Sequence, residues 1–137
     1  MVDKDKTLLI TAAKGGKEET TKSKTQKVID MPIVFLVNEH TASASEILTV
    51  AVKENLENVK VVGTKTYGKG VIQSIFTLSD GSGIKLTTNE YYTPNHNTIN
   101  KVGITPDYEI EFPSGESIYS IDEEKDPQLQ KAIELLK

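Results

Sequence analysis

Two short stretches of this chain hold residue types able to do nucleophilic chemistry. The first, Thr41-Ala42-Ser43-Ala44-Ser45-Glu46, sets small residues between an apolar run and a helical pattern. Small side chains let a substrate backbone approach, and a helix start offers free N–H groups and partial positive charge to an oxyanion. A serine at such a strand-turn-helix junction, here Ser43, could be a nucleophile of the hydrolase-elbow kind. The same spacing, Ser43-x-x-Glu46, is also a capping box, which accounts for a serine without any catalysis. The second stretch, Gly63-Thr64-Lys65-Thr66-Tyr67-Gly68-Lys69-Gly70, nearly matches the GxxxxGK[ST] phosphate loop. It departs twice. Gly70 stands where a hydroxyl would hold magnesium, and the VIQSIF that follows reads as a strand, not the helix whose N-terminus cradles phosphate.

A serine hydroxyl needs a neighbouring base. His40 lies in the same turn as Ser43 and reads as a loop side chain, which leaves a lysine. A lysine amine is ordinarily charged at pH 7, and holding one neutral takes about 4 kcal/mol of desolvation. Lys69, between two glycines and before an apolar strand, could be held in such a pocket; its plain reading is a solvated loop lysine. Gln73 lies two strand periods further on the same face and could hydrogen-bond the amine.

The elements that must position these residues follow from periodicity. IVFLV at residues 33–37 is a continuous β-branched run, as for a strand buried on both faces, with Pro32 at its start. Residues 43–56 repeat Ile47, Leu48, Ala51, Val52 and Leu56 on one helical face, and residues 59–62 form a second apolar strand ending at Gly63. Strand, helix and strand within about 30 residues make a βαβ unit with parallel strands. Residues 71–78 and 84–92 read as a hairpin around Ser79-Asp80-Gly81-Ser82-Gly83, and 108–112 as a last strand. Residues 7–13 form an early strand, and residues 14–27 a polar stretch that is either an edge hairpin arm or a loop. Asp126-Pro127 signals a closing helix with Leu129, Ala132, Ile133 and Leu136 on its apolar face. The fold class is α/β: a mixed sheet with a βαβ unit and flanking helices.

Composition narrows the partners. With 137 residues the chain fits one domain, and 36% hydrophobic against 26% charged residues is ordinary for a chain with a core. The net charge is −4 and every basic residue is lysine, which argues against nucleic acid recognition. There is no cysteine, and two histidines are too few for a convincing metal cluster, so neither cofactor nor metal is expected. No apolar run reaches the roughly 20 residues that span a bilayer, and no secretory-signal pattern opens the chain.

Taken together, the motifs resemble those of the C-terminal processing (tail-specific) serine peptidases. Val37-Asn38-Glu39-His40-Thr41-Ala42-Ser43-Ala44-Ser45-Glu46-Ile47 is similar to the family's nucleophile motif, and residues 63–73 to its lysine motif. Leu78-Ser79-Asp80-Gly81, Leu86-Thr87-Thr88, Tyr91-Tyr92-Thr93-Pro94, Gly103-Ile104-Thr105-Pro106-Asp107 and 126–132 resemble further signatures, in order. The resemblance implies Ser43 as nucleophile, Lys69 as general base, Gln73 as its assistant and Ala44 N–H in the oxyanion hole. It implies a crotonase- or Clp-like core, a protein or peptide substrate cut near its C-terminus, and a setting outside the cytoplasm. It also implies an upstream PDZ domain and a Gly-Gly core segment with the second oxyanion N–H. On this reading residues 1–137 are the C-terminal portion of a protease core, with little activity alone. The alternative is a non-catalytic interaction module, or one that self-associates into a homo-oligomer. Two departures stand out: a Ser43–Lys69 separation one residue long, and Asn95-His96 where Ser-Gly is more usual.

Overall fold

A computed structural model describes residues 1–26 and 29–137; the end of the polar stretch, at Lys27, lies outside the described residues. Among the described residues two sheets form. The first is antiparallel, in the order β2-β1-β6-β5, from β1 (Thr7–Ala13), β2 (Glu18–Lys22), β5 (Val71–Thr77) and β6 (Gly83–Tyr92). The second, in the order β3-β4-β7, is parallel and comes from β3 (Ile33–Val37), β4 (Val59–Gly63) and β7 (Tyr108–Glu109). The polar stretch is a hairpin arm, since β2 pairs along β1 from Thr7↔Lys22 to Ala12↔Glu18.

The βαβ unit forms as its pattern requires: β3 and β4 pair in parallel from Ile33↔Val59 to Val37↔Gly63, and helix α1 (Ala44–Lys53) connects them. The helix packs on β4 and on β1, and so joins the two sheets. Its inner face is Glu46, Thr49, Val50, Ala51 and Val52, whereas Leu48, assigned to that face by spacing, is exposed. Burying Val50 and Val52 stabilises the fold by about 1.5–3 kcal/mol each. Two small cores result, one around Val50, Tyr91, Ile99 and Ile104, the other around Val2, Val52 and Val59.

Three expectations need correction. β3 is not buried on both faces: it is an edge strand, and Leu36 is 44% exposed. The last strand is two residues rather than five, because β7 pairs with β4 only at Val62↔Tyr108 and Gly63↔Glu109. Asp107 takes over the ladder below it, receiving Val61 N–H on Oδ2 at 2.8 Å and Lys53 Nζ on Oδ1 at 2.7 Å. The closing helix, α2 (Pro127–Leu135), is capped by Asp126 Oδ1, which accepts from Gln128 N and Leu129 N at 2.9 and 3.0 Å. It buries Ala132 but leaves Ile133 and Leu136 exposed, half of the expected apolar face.

The unusual Asn95-His96 pair is accommodated locally. His96 takes a left-handed φ of 65°, a conformation glycine adopts at no steric cost. Its ring stacks on Tyr92 at 4.9 Å, and its Nε2 lies 3.0 Å from Glu18 Oε1. Those contacts offset the strain without touching the Ser43 region.

Candidate active site

The turn from β3 into α1 is closed by its own side chains. Thr41 N–H donates to Asn38 O at 2.9 Å, Asn38 N–H to Thr41 Oγ1 at 3.0 Å, and His40 N–H to Asn38 Oδ1 at 3.0 Å. Ser43 follows as the helix N-cap with φ 57° and ψ −117°, a conformation a non-glycine residue rarely holds. Such an outlier costs about 1–3 kcal/mol and persists where surrounding structure over-determines it. Ala44, the first helical residue, is exposed, so its N–H faces accessible space.

The over-determining group is Glu46, which is fully buried at 0% exposure. It closes the capping box with Ser43, and the short half of that box is Ser43 N–H donating to Glu46 Oε2 at 2.9 Å. The same Oε2 accepts Lys69 N–H at 2.9 Å. Oε1 accepts Gly68 N–H at 2.8 Å and Thr66 Oγ1–H at 2.5 Å. All four partners donate, which is the environment an acceptor-only carboxylate needs. One oxygen thus holds the Ser43 and Lys69 backbone nitrogens within twice 2.9 Å of each other, across 26 residues of sequence.

The loop of residues 64–70 is held on its other side as well. Tyr67 N–H donates to Thr41 O at 3.0 Å, Lys101 N–H to Gly68 O at 2.8 Å, and Ile104 N–H to Thr66 Oγ1 at 2.7 Å. Two glycines are forced by this packing. Gly68 has φ +83°, and a Cβ there would sit 2.7 Å from Gly103 N; a Cβ on Gly70 would sit 2.4 Å from Asn100 N. The amides of Gly68 and Lys69 are engaged by Glu46, so they are not turned to a phosphate; the phosphate-loop pattern serves an internal carboxylate instead.

Tyr91 completes the site. It is 1% exposed, its N–H donates to Gly70 O at 3.0 Å, and its hydroxyl donates to the Lys69 carbonyl. Burial pushes the phenol up to about 12, with the Glu46 charge adding to the rise and a hydrogen bond from the Ser43 hydroxyl opposing it. The Ser43 hydroxyl therefore rests against Tyr91. Among the described residues no hydrogen bond joins Ser43 Oγ to Lys69 Nζ or Lys69 to Gln73. Lys69 is half-buried and lines an open cavity of about 510 Å³ with Ala42, Tyr67, Gly68, Val71, Asn100 and Lys101. Gln73 stands exposed on β5. His40 is exposed and lies 3.4 Å from Glu39, away from any base role. Among the described residues no three His, Asp or Glu side chains converge as a metal site.

Spacing brought out Ser43 and Lys69 but missed Glu46 and Tyr91 as parts of one site. Glu46 was legible only as a cap, and Tyr91 only as one residue of a recurring Tyr-Tyr-Thr-Pro motif.

A strained serine at a strand-to-helix turn, tied through a buried carboxylate to a lysine loop, is the arrangement of an acyl-transfer elbow. Comparison with known proteins agrees. Residues 1–110 match the model of peptidase family S41, and the chain belongs to that family. It is 44% identical over 132 residues to the carboxyl-terminal-processing protease of Synechocystis, covering 96% of this chain and 30% of that protein. To the carboxy-terminal processing protease CtpA of Bacillus subtilis it is 36% identical over 124 residues, 90% of this chain and 26% of the relative. The solved photosystem II D1 C-terminal processing protease superimposes with a TM-score of 0.73 at 37% identity, over 81% of this chain and 29% of that one. The chain therefore spans less than a third of the relatives it matches.

Proposed function

We propose that this chain carries the Ser/Lys dyad of a C-terminal processing endopeptidase, as the C-terminal portion of its protease core. Ser43 attacks a peptide carbonyl after neutral Lys69 takes its proton, and Ala44 N–H helps hold the oxyanion at the start of α1. Gln73 orients the amine from β5. Water activated by Lys69 then hydrolyses the acyl-enzyme. The resting hydrogen bond from Ser43 to Tyr91 must be exchanged for one to Lys69, a rotation of the serine side chain within a fixed backbone.

One observation carries this reading: a single carboxylate oxygen of Glu46 accepts both the Ser43 and the Lys69 backbone N–H. Without chemistry between those two residues, nothing requires a strained serine and a lysine loop to share an anchor. The substrate proposed is a protein cut near its C-terminus, as the relatives' names state for them. An extracytoplasmic setting is proposed with it; one similar Arabidopsis thaliana protein is named chloroplastic. Among the described residues no helix is long and apolar enough to cross a membrane. Full activity is proposed for a protein that also supplies the second oxyanion donor, whose loss costs about 100- to 1000-fold in related chemistry.

The test compares full-length protein with its Ser43→Ala and Lys69→Ala versions on a partly unfolded substrate. Each variant should lose about 10⁴-fold or more in rate. Unchanged cleavage by either one overturns the dyad. A non-catalytic, self-associating module is the second reading, favoured by the exposed Ile72, Ile75, Phe76, Ile84 and Leu86 of the β5–β6 hairpin. Light scattering that shows a monomer removes it.

A further inference from the structure

A free row of strand N–H and C=O groups is a template for another chain, so sheet edges are ordinarily guarded. The two edges of the antiparallel sheet differ in this respect. β2 places Glu18, Glu19 and Lys22 among its five residues, whereas β5, VIQSIFT, has neither charge nor proline. β5 is also the strand that begins two residues after Lys69.

Its ladder with β6 decides which backbone groups are free. Tyr91 N–H donates to Gly70 O at 3.0 Å at one end, and Leu78 N–H to Ser82 O at 2.7 Å at the other. Antiparallel pairs alternate between bonded and unbonded. The register runs Val71↔Glu90, Ile72↔Asn89, then past the extra Thr88 from Gln73↔Thr87 to Thr77↔Gly83. Followed from both ends, the alternation turns Val71, Gln73, Ile75 and Thr77 outward, N–H and C=O facing away from β6. The side chains beside this edge are apolar and exposed. Ile72 and Phe76, with Ile84 opposite Phe76, share one face; Ile75, on the other, is 71% exposed.

We infer that the open edge of β5 accepts an extended apolar peptide as an added antiparallel strand, with its C-terminal end running toward Lys69. This deepens the peptidase reading and rests on it. Antiparallel addition is the favoured pairing on an antiparallel sheet, and β5 runs away from Lys69, so the guest strand must run toward it. Main-chain pairing at four alternate residues gives affinity with little sequence demand, and the apolar flanks select apolar side chains. Where the guest strand arrives, Lys69, Asn100 and Lys101 line the open cavity, and two ammonium groups and an amide suit a terminal carboxylate. The substrate class is therefore an unstructured apolar tail, read by backbone and by its end.

Binding is measured on the 137-residue chain carrying Ser43→Ala. The probe is a fluorescein-labelled heptapeptide of alternating valine and threonine with a free carboxylate, followed by anisotropy. Saturable binding is expected, at least tenfold weaker when alternate peptide amides are N-methylated or the carboxylate is amidated. Ile75→Pro removes an outward N–H and leaves the β6 ladder intact; it should weaken binding at least tenfold at unchanged circular dichroism, and Ile75→Val should stay within twofold. Equal affinity for methylated and unmethylated peptide overturns the inference, whatever Ile75→Pro does to folding. So does a dimer that the peptide cannot displace, which assigns the edge to a second copy. Because binding is read without a nucleophile, edge binding with cleavage indifferent to Ser43→Ala sinks the peptidase reading alone. Dyad-dependent cleavage without edge binding sinks this inference alone.

Discussion

Replacing Glu46 with glutamine keeps its size and removes its charge, and the consequence can be worked from the four donors around it. The carboxylate receives Ser43 N–H and Lys69 N–H on one oxygen and Gly68 N–H and Thr66 Oγ1–H on the other. A glutamine offers one oxygen, so it satisfies two donors and aims its own N–H₂ at the remaining two. Two hydrogen bonds to a charged acceptor are lost, at about 1.5–3 kcal/mol each, and the orphaned donors stay buried. The expected loss is about 3–6 kcal/mol, against a total stability of about 5–15 kcal/mol for a domain. With a urea slope near 2 kcal/mol per M, the midpoint should fall by about 1.5–3 M. Urea titration by circular dichroism reads this, and amide exchange at Gly68 and Lys69 should accelerate in step. A midpoint within about 0.3 M of the parent would refute the claim that this carboxylate ties the elbow to the lysine loop.

Two further outcomes follow from neighbouring residues. The Tyr91 phenol is raised from 10.0 to about 12 in the folded chain, so its contribution is fully present below pH 10 and is lost as pH rises toward 12. Relative to Tyr91→Phe, the parent should lose about 2–3 kcal/mol between pH 9.5 and 12; parallel stability curves would show that the hydroxyl is not buried in this site. Gly70→Ala places a Cβ 2.4 Å from Asn100 N and should cost about 1–3 kcal/mol by overpacking, read as a lowered melting temperature. An unchanged melting temperature would mean that the loop and residue 100 are not in contact.

Local pattern determined much of this protein. The period-2 and period-3.6 runs located β1, β3, β4, β5, β6, α1 and α2, because backbone hydrogen bonding permits few periods and each leaves its own spacing of apolar residues. Small residues before α1 and glycines flanking Lys69 marked the two stretches that matter, since close backbone approach leaves few residue types possible. Tertiary structure decided the rest. Whether Leu36 or Leu48 is covered depends on which neighbour arrives, and no spacing records that. The five-residue alternation at 108–112 became a two-residue strand because the Asp107 carboxylate took the Val61 amide. Ser43 and Glu46 read alone as an ordinary cap; only the fold brings Gly68, Lys69 and Tyr91 onto the same few atoms. A side chain's partners distant in sequence are fixed by packing in three dimensions, so the chemistry of the motifs was visible one stretch at a time while their connection was not.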